Sequence, residues 1–385
     1  MFILVFNSGS SSIKYDLINV ENEKSLCKGS LERIGEVKSF LNYQITGKEQ
    51  IKQDIKCLTH HDAIEIIKNM LLDPINGVIS NVNDVMGVGH RMVHGGEKFS
   101  ESIIINDKIL NDIEEFSHLA PLHNPPALEG IKSCIKIFKN IPQVVVFDTA
   151  FHQSMPEYVF SYGIDYKYYE KYGIRKYGFH GTSHKYVAMK AAEELKKPFT
   201  ELNAISVHLG NGCSICAINK GKSIDTSMGF TPLEGLIMGT RCGDIDPTVI
   251  TFLMEKEKLS IEQIERILNK KSGLLGLSGI SNDMRDIISE CKKNNKRAQL
   301  AFNAFLYRIK KYIGSYIAIL VNVDAIIFTG GIGENVKDIK NNIEKQLFSL
   351  LKEKTKFFII KTNEELMIAK ETHKVIEDLK YVKIK

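Results

Sequence analysis

Residues 206–218 read SVHLGNGCSICAI and predict a strand, a turn of small residues and a second strand. Val207 and Leu209 are apolar, and residues 214–218 return as a run rich in strand-forming residues. The turn Gly210-Asn211-Gly212 requires either positive φ angles or a close approach of the backbone to another group. A glycine-rich turn after a strand also presents backbone N–H groups to an anion. The stretch therefore suggests a phosphate-binding turn, although most Gly-Asn-Gly turns only close a hairpin.

A second hairpin of this kind opens the chain. Phe2 to Phe6 predicts a buried strand, residues 7–12 (NSGSSS) a polar turn, and Ile13 to Val20 another strand. A shift of 202 positions places Val5 on Val207. Two such units half a chain apart predict a duplicated fold with one turn of this type in each half.

Length and composition favour a soluble two-domain protein. The chain has 385 residues, 43% of them hydrophobic and 25% charged, which is typical of globular α/β proteins. A net charge of +5 without a persistent Lys/Arg block gives no indication of a nucleic-acid surface. It does not exclude a local basic pocket for an anionic substrate.

Cysteine usage and hydropathy predict a reducing, non-membrane location. Seven scattered cysteines do not form a disulfide framework, and the Cys213-x-x-Cys216 pair lies in a strand, not at a helix N-terminus. The run Phe2 to Phe6 is too short for a signal sequence, and no segment approaches the ~20 apolar residues of a membrane helix.

Strands and helices alternate through both halves. The predicted strands beyond the hairpins are Lys24 to Arg33, Val85 to His90, Gln143 to Phe147, Lys222 to Asp225, Asp324 to Phe328 and Phe357 to Ile360. The predicted helices are His61 to Leu72, Asp107 to His118, Pro126 to Phe138, a helix capped by Thr182 or Ser183 and reaching Lys196, Thr248 to Met254, Ile261 to Asn269, Arg297 to Leu320 and Glu364 to Glu377. Thr226 to Pro247 is predicted to be a long glycine-rich loop, and a loop of that length usually has a function.

Several polar residues stand next to small residues at strand ends and in loops. Arg91 and Arg241 are candidates to bind a carboxylate or a phosphoryl group, because guanidinium forks suit both anions. The candidate magnesium ligands, of which one or two are expected to matter, are Asp148, Asp225, Glu234, Asp244, Asp246 and Glu364. The histidines considered for zinc have no convincing ligand spacing; they are His90, His94, His118, His123, His180, His184 and His208.

A third glycine turn, Gly330-Gly331-Ile332-Gly333-Glu334-Asn335, follows the strand Asp324 to Phe328 and leads into a helix. Small residues there let a base or ribose approach the backbone. The turn is neither a P-loop nor a dinucleotide fingerprint, and a plain strand-to-helix turn is an equally good interpretation.

These motifs, taken together, resemble the acetate kinase family of the acetate and sugar kinase, Hsc70 and actin superfamily. The runs that carry the resemblance are residues 5–14 (VFNSGSSSIK), 89–96 (GHRMVHGG), 178–184 (GFHGTSH), 225–235 (DTSMGFTPLEG) through Asp246-Pro247, 328–335 (FTGGIGEN) and 362–366 (TNEEL). The resemblance extends along the whole chain, with a less typical tail after Ile368.

The resemblance implies an α/β fold of two duplicated ribonuclease H-like, actin-like ATPase domains that face each other across a cleft. We expect the first domain at residues 1–150, joined by about 370–385, and the second, with most of the nucleotide site, at 151–369. It also implies reversible, magnesium-dependent (or manganese-dependent) phosphorylation of acetate by ATP to acetyl phosphate and ADP, in a cytoplasmic homodimer without nucleic-acid or membrane partners.

The resemblance assigns roles residue by residue. Asn7 and Glu364 match the metal positions and Asp148 the catalytic acid, Arg91 and Arg241 would hold the carboxylate and the moving phosphoryl group, and His180 would stabilise the transition state. The methyl pocket would consist of Val93, Leu122, Phe179 and Pro232, with Arg91 also in the substrate site. The ATP contacts would be Lys14, His208, Leu209, Gly210, Asn211, Gly212, Asp283, Met284, Arg285, Gly331, Ile332, Gly333, Glu334 and Asn335.

Asp148 has no need to act as a base, because a carboxylic acid such as acetate is already ionised at neutral pH. Our hypothesis is that Asp148 orients Arg91 or a magnesium-bound water. The rival functions are another short-chain acyl kinase and a nucleotide-dependent binding protein of the actin or Hsp70 kind; the arginine pair and His180 argue against the second.

Overall fold

The computed structural model describes residues 1–120, 123–351 and 354–383. The chain divides into two compact units, the first formed by Met1–Ala150 and the residues from Asn363 onward, the second by Phe151–Thr362. Residues 363–369, which we expected in the second domain, thus belong to the first unit. No helix in the described part of the chain is both long enough and apolar enough to span a bilayer.

The elements are numbered in chain order over the described residues. The strands are β1 (Phe2–Ser8), β2 (Ser12–Asn19), β3 (Lys24–Glu32), β4 (Ser39–Ile45), β5 (Ile51–Ile55), β6 (Val85–Met92), β7 (Ile103–Ile104), β8 (Gln143–Phe147), β9 (Ala204–Leu209), β10 (Cys213–Asn219), β11 (Lys222–Thr226), β12 (Ala325–Thr329) and β13 (Lys356–Ile359). The α-helices are α1 (His60–Leu71), α2 (Asp107–Glu115), α3 (Asn124–Ile137), α4 (Glu157–Phe160), α5 (Lys167–Tyr172), α6 (Gly181–Glu194), α7 (Pro247–Glu257), α8 (Ile261–Lys270), α9 (Gly273–Ser278), α10 (Met284–Lys292), α11 (Lys296–Leu320), α12 (Gly330–Asn335), α13 (Lys337–Leu347) and α14 (Glu364–Lys383).

Both units contain a sheet of the same topology, so the predicted duplication is confirmed. The first sheet has the order β5-β4-β3-β2-β1-β6-β8-β7, and the second has the order β11-β10-β9-β12-β13. β1 pairs antiparallel with β2 and parallel with β6, just as β9 pairs antiparallel with β10 and parallel with β12. β4 and β5 extend the first sheet at one side and β7 at the other, and these three strands were not predicted.

The two hairpins differ in their turns. Asn7 pairs with Lys14, whereas Leu209, 202 positions after Asn7, pairs with Cys213, so the second turn is the tighter one. Neither Gly210 nor Gly212 has a positive φ, so that alternative for the Gly-Asn-Gly turn is wrong. Close approach of the backbone applies at Gly210, where a Cβ would lie 3.3 Å from the Gly212 carbonyl oxygen, which is a tight contact.

Close packing explains why the C-terminal helix belongs to the first unit. Helix α14 lies on β6, where a Cβ on Gly89 would come within 2.9 Å of the Ile368 Cγ2 atom and also collide with Thr372. On β6 only glycine allows this approach, so α14 packs on the face of the sheet that carries Ile3, opposite the core that contains Leu4 and Val88.

Asp16 on β2 allows a stability test of this core. The carboxyl group is 8% exposed, and burial, reinforced by nearby Glu365, raises its pKa to about 6. Because the pKa is higher in the folded than in the unfolded chain, stability falls as the pH rises from about 4 to about 6, and the loss is complete above that window.

We therefore expect Asp16→Asn to raise the free energy of unfolding by about 1–3 kcal/mol near pH 8 and to leave it unchanged near pH 4. The asparagine oxygen can still accept the 2.6 Å hydrogen bond that the Ser25 hydroxyl donates. Urea titrations at both pH values measure the change, with the exposed Asp54→Asn as control. Equal shifts at the two pH values would contradict the raised pKa.

Candidate active site

Candidate site residues of the first unit lie at the carboxyl ends of its parallel strands. β1, β6 and β8 are neighbouring parallel strands, with Phe6 opposite His90 and Met92 opposite Phe147. Because the carboxyl ends of parallel strands share one edge of a sheet, Asn7, Arg91 and Asp148 come together there.

Arg91 and Asp148 form a two-point ion pair. Arg91 Nε donates to Asp148 Oδ1 at 3.1 Å, and Nη2 donates to Oδ2 at 2.7 Å. The Asp148 side chain is 3% exposed and that of Arg91 22%. The carboxylate raises the pKa of the Arg91 guanidinium further above its usual value, and Nη1 is the nitrogen that does not face Asp148.

Glu364, the first residue of α14, joins this pair, with its Oε2 atom 3.7 Å from Arg91 Nε. Burial raises the pKa of Glu364, Asp148 raises it further, and Arg91 opposes both effects. Asn7 sits on the adjacent strand end and pairs with Lys14, which is exposed on β2. Amide and carboxylate oxygens are what magnesium prefers, and it usually keeps waters and substrate phosphates as its other ligands, so this donor set fits the ion.

The second unit places His180 and Arg241 beside the Gly210–Gly212 turn. A Cβ on Gly212 would lie 3.4 Å from His180 Nε2 and 3.5 Å from Arg241 Nη1, so both side chains approach one backbone position. These are van der Waals contact distances, so both side chains lie directly against the turn. The long loop at residues 227–246, predicted from its glycines, provides Arg241 and is confirmed as irregular.

Arg241 is a half-buried cation. Its Nη1 donates to the Pro232 carbonyl at 2.8 Å, and no acidic side chain among the described residues forms an ion pair with it. Burial lowers the pKa of Arg241 below the usual arginine value, because partial removal from water disfavours the charged form.

His180 has backbone strain and a defined set of neighbours. It precedes α6 with φ 57°, a left-handed conformation that is uncommon for a residue with a side chain. The predicted cap by Thr182 or Ser183 is wrong, since α6 already begins at Gly181 and both residues are buried in its first turn. Ser183 Oγ instead lies 2.8 Å from both His208 Nδ1 and Thr362 Oγ1.

His208 supports His180 from β9. The two rings stack with centroids 4.3 Å apart and planes 25° apart. His208 is 8% exposed, and its Nδ1 is engaged by Ser183. His208 therefore contacts the His180 ring with one face and α6 through Ser183.

The residues of the predicted ATP runs differ in accessibility. Met284 is only 2% exposed, whereas Arg285 is exposed and pairs with Asp283, whose pKa it lowers to about 2 through hydrogen bonds. Glu334 Oε1 accepts the backbone N–H groups of Gly330 and Thr362, both at 3.0 Å, so its carboxylate holds the glycine turn itself.

The remaining members of these runs lie on the turns. A Cβ on Gly331 would meet nothing within 4 Å, so its Cα faces open space. Asn335 Nδ2 donates to the Gly331 carbonyl, and the Asn211 side-chain oxygen accepts from Asn282 Nδ2 at 3.1 Å. Leu209 is fully buried on β9, and Ile332 and Gly333 belong to the short helix α12.

Four of the six candidate magnesium ligands have structural partners instead. Asp225 pairs with Lys176, Glu234 accepts from Tyr162, Asp244 pairs with Arg308, and Asp246 caps α7. Within the described residues, no group of three or more His, Cys, Asp or Glu side chains is placed to hold a metal ion. The Cys213 thiol is buried with a pKa raised to about 12, which is unlike a reactive thiolate.

The predicted methyl-pocket residues are distributed over both units. Val93 follows β6 in the first unit, and Leu122 lies outside the described residues. Phe179 is 3% exposed, its carbonyl accepts from His152 Nε2 at 3.0 Å, and it precedes His180 directly. The carbonyl of Pro232 contacts Arg241.

Three buried side chains connected to His180 by hydrogen bonds were not among the predicted site residues. Ser214 and Ser206 lie inside the stretch 206–218, and His184 was considered only as a metal ligand. No sequence signal identified them, because which histidine each serine meets depends on how α6 packs against the sheet that contains β9 and β10.

Comparisons with known proteins extend over nearly the full length. The acetokinase family model matches residues 2–351. A protein of Halothermothrix orenii named acetate kinase is 51% identical over 98% of this chain and 100% of its own length. A crystal structure of Porphyromonas gingivalis acetate kinase aligns with TM-score 0.94 and 42% identity over 97% of this chain and 99% of that one.

A propionate kinase from Francisella tularensis aligns with TM-score 0.90, also at 42% identity over 97% of this chain and 99% of that one. These structures have the actin-like ATPase fold expected here. The similarity is high and continuous over both units, and the chain belongs to the acetokinase family.

Proposed function

We propose that this protein transfers the γ-phosphoryl group of ATP reversibly to acetate, forming acetyl phosphate and ADP. The observation that carries the proposal is Arg241, a half-buried guanidinium without an acidic partner among the described residues, beside His180 and the Gly210–Gly212 turn. A site that holds a desolvated cation against a histidine and a glycine turn is suited to a transferring phosphoryl group.

In this proposal Arg91 binds the acetate carboxylate. Asp148 holds the guanidinium through Nε and Nη2, so that Nη1 points to the substrate. Acetate enters ionised and needs no base, so the role that remains for Asp148 is to orient the Arg91 guanidinium. This supports the first form of our hypothesis, in which Asp148 acts on Arg91 and not on a metal-bound water.

Arg241 and His180 would stabilise the charge that builds up on the phosphoryl oxygens. Both approach the same backbone position and are partly buried, so their hydrogen bonds to a phosphoryl group would be stronger than in bulk water. The exposed turns at Gly331 and Asn211, with Lys14 and Arg285, are the proposed contacts to ATP.

Asn7 and Glu364 would hold magnesium, directly or through water, and manganese can replace it because both ions accept oxygen ligands. When bound, the ion neutralises phosphate charge during transfer. Arg91 contacts both Asp148 and Glu364, so it partly compensates the negative charge of the Glu364 carboxylate.

Trapping of acetyl phosphate with hydroxylamine tests the function directly. Purified protein with ATP, magnesium and acetate should give acetohydroxamate, and acetyl phosphate with ADP should give ATP. ATP hydrolysis that does not depend on acetate, with no hydroxamate, would favour the nucleotide-dependent binding protein.

The preference among acids is a separate prediction. Val93, Leu122, Phe179 and Pro232 stay our proposed contacts to the methyl group. Because a pocket discriminates one methylene by only ~1–3 kcal/mol, kcat/KM for propionate should be about 10- to 100-fold below that for acetate. Identity of 42% to both an acetate kinase and a propionate kinase structure makes this measurement necessary. Faster turnover of butyrate than of acetate would overturn the pocket assignment.

The metal assignment predicts that Glu364→Gln raises the magnesium concentration for half-maximal activity by about tenfold or more, since a negatively charged ligand is lost. Initial rates at fixed ATP and varied magnesium measure it. The matched control is Glu365→Gln, which removes the same charge one residue further along α14 and should change the value less than about threefold. An equal rise of this magnesium concentration in both variants would mean that the loss of negative charge is responsible and that Glu364 is not a metal ligand.

The remaining proposals concern the nucleotide-binding domain, the cellular location and the oligomeric state. We propose that the second domain holds most of the nucleotide contacts, that the protein acts in the cytoplasm where ATP is supplied, and that it forms a homodimer. Helix α7 supports the last point because it has no buried residue and exposes Val249 and Phe252 by 38% and 55%. Sedimentation equilibrium tests it, and a monomer at micromolar concentration would contradict it.

A further inference from the structure

Four side chains form a continuous hydrogen-bonded chain that ends at His180. His184 Nδ1 contacts Ser206 Oγ, and His184 Nε2 lies 2.7 Å from Ser214 Oγ. Ser214 Oγ in turn lies 2.9 Å from His180 Nδ1. Ser206, Ser214 and His184 have no exposed surface, so this chain is closed to water.

The number of protons in this chain restricts its direction. Burial, with the neighbouring rings of His152 and His208, lowers the pKa of His184 well below its usual value, so His184 is neutral and carries a single N–H. Each serine has one hydroxyl proton to donate. Ser214 Oγ contacts only the two histidine rings among the described residues, so its own proton must go to one of them if it is to be hydrogen-bonded. When every contact is a hydrogen bond and this proton is used, the chain runs either from Ser206 toward His180 or from His180 toward Ser206.

The two directions give His180 opposite properties. In the first, Ser206 O–H donates to His184 Nδ1, His184 Nε2–H donates to Ser214, and Ser214 O–H donates to His180 Nδ1. Neutral His180 then carries its proton on Nε2, the nitrogen 3.4 Å from the Gly212 Cβ position. In the second direction, neutral His180 carries its proton on Nδ1 and presents an Nε2 lone pair to the same place.

An anion at the turn selects the first direction, because a lone pair would repel phosphoryl oxygens and an N–H attracts them. We propose that Ser206, His184 and Ser214 are positioning residues that hold His180 in its Nε2–H form, ready to donate a hydrogen bond to the transferring phosphoryl group. The inference rests on the proposed function, since it names the hydrogen bond by which His180 serves phosphoryl transfer.

Ser214→Ala tests the central link. The substitution removes the hydroxyl between the two histidines, and we expect kcat to fall by about 10- to 100-fold with little change in KM for ATP or acetate, as for a group that acts mainly in the transition state. Ser214→Thr keeps a hydroxyl at the same position and should recover most of the lost kcat. A kcat within about twofold of wild type in Ser214→Ala would overturn the proposal.

The tautomer itself is a readout that a merely structural role would not change. In ¹⁵N-histidine NMR spectra of the full chain with magnesium, ATP analogue and acetate, His180 should show a protonated Nε2 and an unprotonated Nδ1. The His180 signal is assigned by its loss in His180→Gln. A protonated Nδ1 in the wild-type complex would overturn the proposal, and Ser214→Ala should lose the Nδ1 hydrogen-bond shift.

Ser39→Ala is the matched control for loss of a buried hydroxyl. Ser39 is 1% exposed in the first unit and donates to the Arg33 carbonyl at 2.8 Å. It should lose stability but keep its kcat and the His180 spectrum. The NMR measurement needs no turnover, so a wild-type protein that makes no acetyl phosphate would refute the proposed function while the tautomer result is decided separately.

Discussion

Arg241→Met should reduce kcat for acetyl phosphate formation by about 10³-fold or more, equivalent to roughly 4 kcal/mol of transition-state stabilisation. In our proposal the guanidinium beside His180 and Gly212 stabilises the negative charge that develops on the phosphoryl oxygens in the transition state. Methionine has similar length and no charge, so it removes the interaction without leaving a large cavity.

The same substitution should not destabilise the fold. Burial already disfavours the Arg241 charge, and no acidic partner among the described residues would be left behind. The lost hydrogen bond to Pro232 is offset by the removed desolvation cost, so we expect an unchanged or higher Tm. Thermal unfolding and initial rates on one sample measure both effects.

Arg266→Met is the control, since Arg266 is exposed on α8 and should lose neither activity nor stability. A kcat within tenfold of wild type in Arg241→Met would contradict the role of Arg241 at the phosphoryl group. A large fall in Tm would instead make Arg241 a structural residue.

Asp148→Asn should lower kcat by about 10²- to 10³-fold in both directions at saturating magnesium. The amide has nearly the same shape, but its NH₂ group faces a guanidinium donor and its charge is gone, so Arg91 loses the two-point contact at 3.1 Å and 2.7 Å. A misplaced guanidinium affects reaction geometry more than substrate affinity. The stability loss should be about 1–3 kcal/mol because Glu364 remains 3.7 Å from Arg91.

Asp112→Asn is a matched control in the same unit. Asp112 is 8% exposed and pairs at 2.5 Å with Lys98, whose side chain is exposed, so the substitution also removes a buried carboxylate from an ion pair. It should cost stability without lowering kcat. Nearly full turnover of Asp148→Asn would refute the orienting role of Asp148, whatever its effect on stability.

Local sequence patterns predicted much of the fold because hairpins, periodic helices and glycine turns depend on neighbouring residues. The pairs β1–β2 and β9–β10 follow from two such stretches. The start of α6 was wrong because Thr182 and Ser183 suit a cap, whereas tertiary packing places both inside the first turn. β5 was missed because a polar edge strand gives a weak signal, whereas β4 does alternate buried and partly exposed residues and was overlooked.

The candidate site was predicted largely through family motifs, and its internal contacts were not predictable. Arg91 and Asp148 are 57 positions apart, and only the parallel register of β6 and β8 brings them together. Ser214 stands between His180 and His184 because α6 packs against the sheet that contains β9 and β10.

The sequence by itself determined the two hairpins, their duplication, the long loop that contains Arg241 and the residue types at the strand ends, since these depend on short runs of the chain. Only the tertiary structure decided that α14 completes the first unit, that Asp148 engages Arg91 at two points and that a chain of serines and histidines ends at His180. These features depend on strand register and close packing between residues far apart in the sequence, and hydrogen bonds are specific to distance and direction.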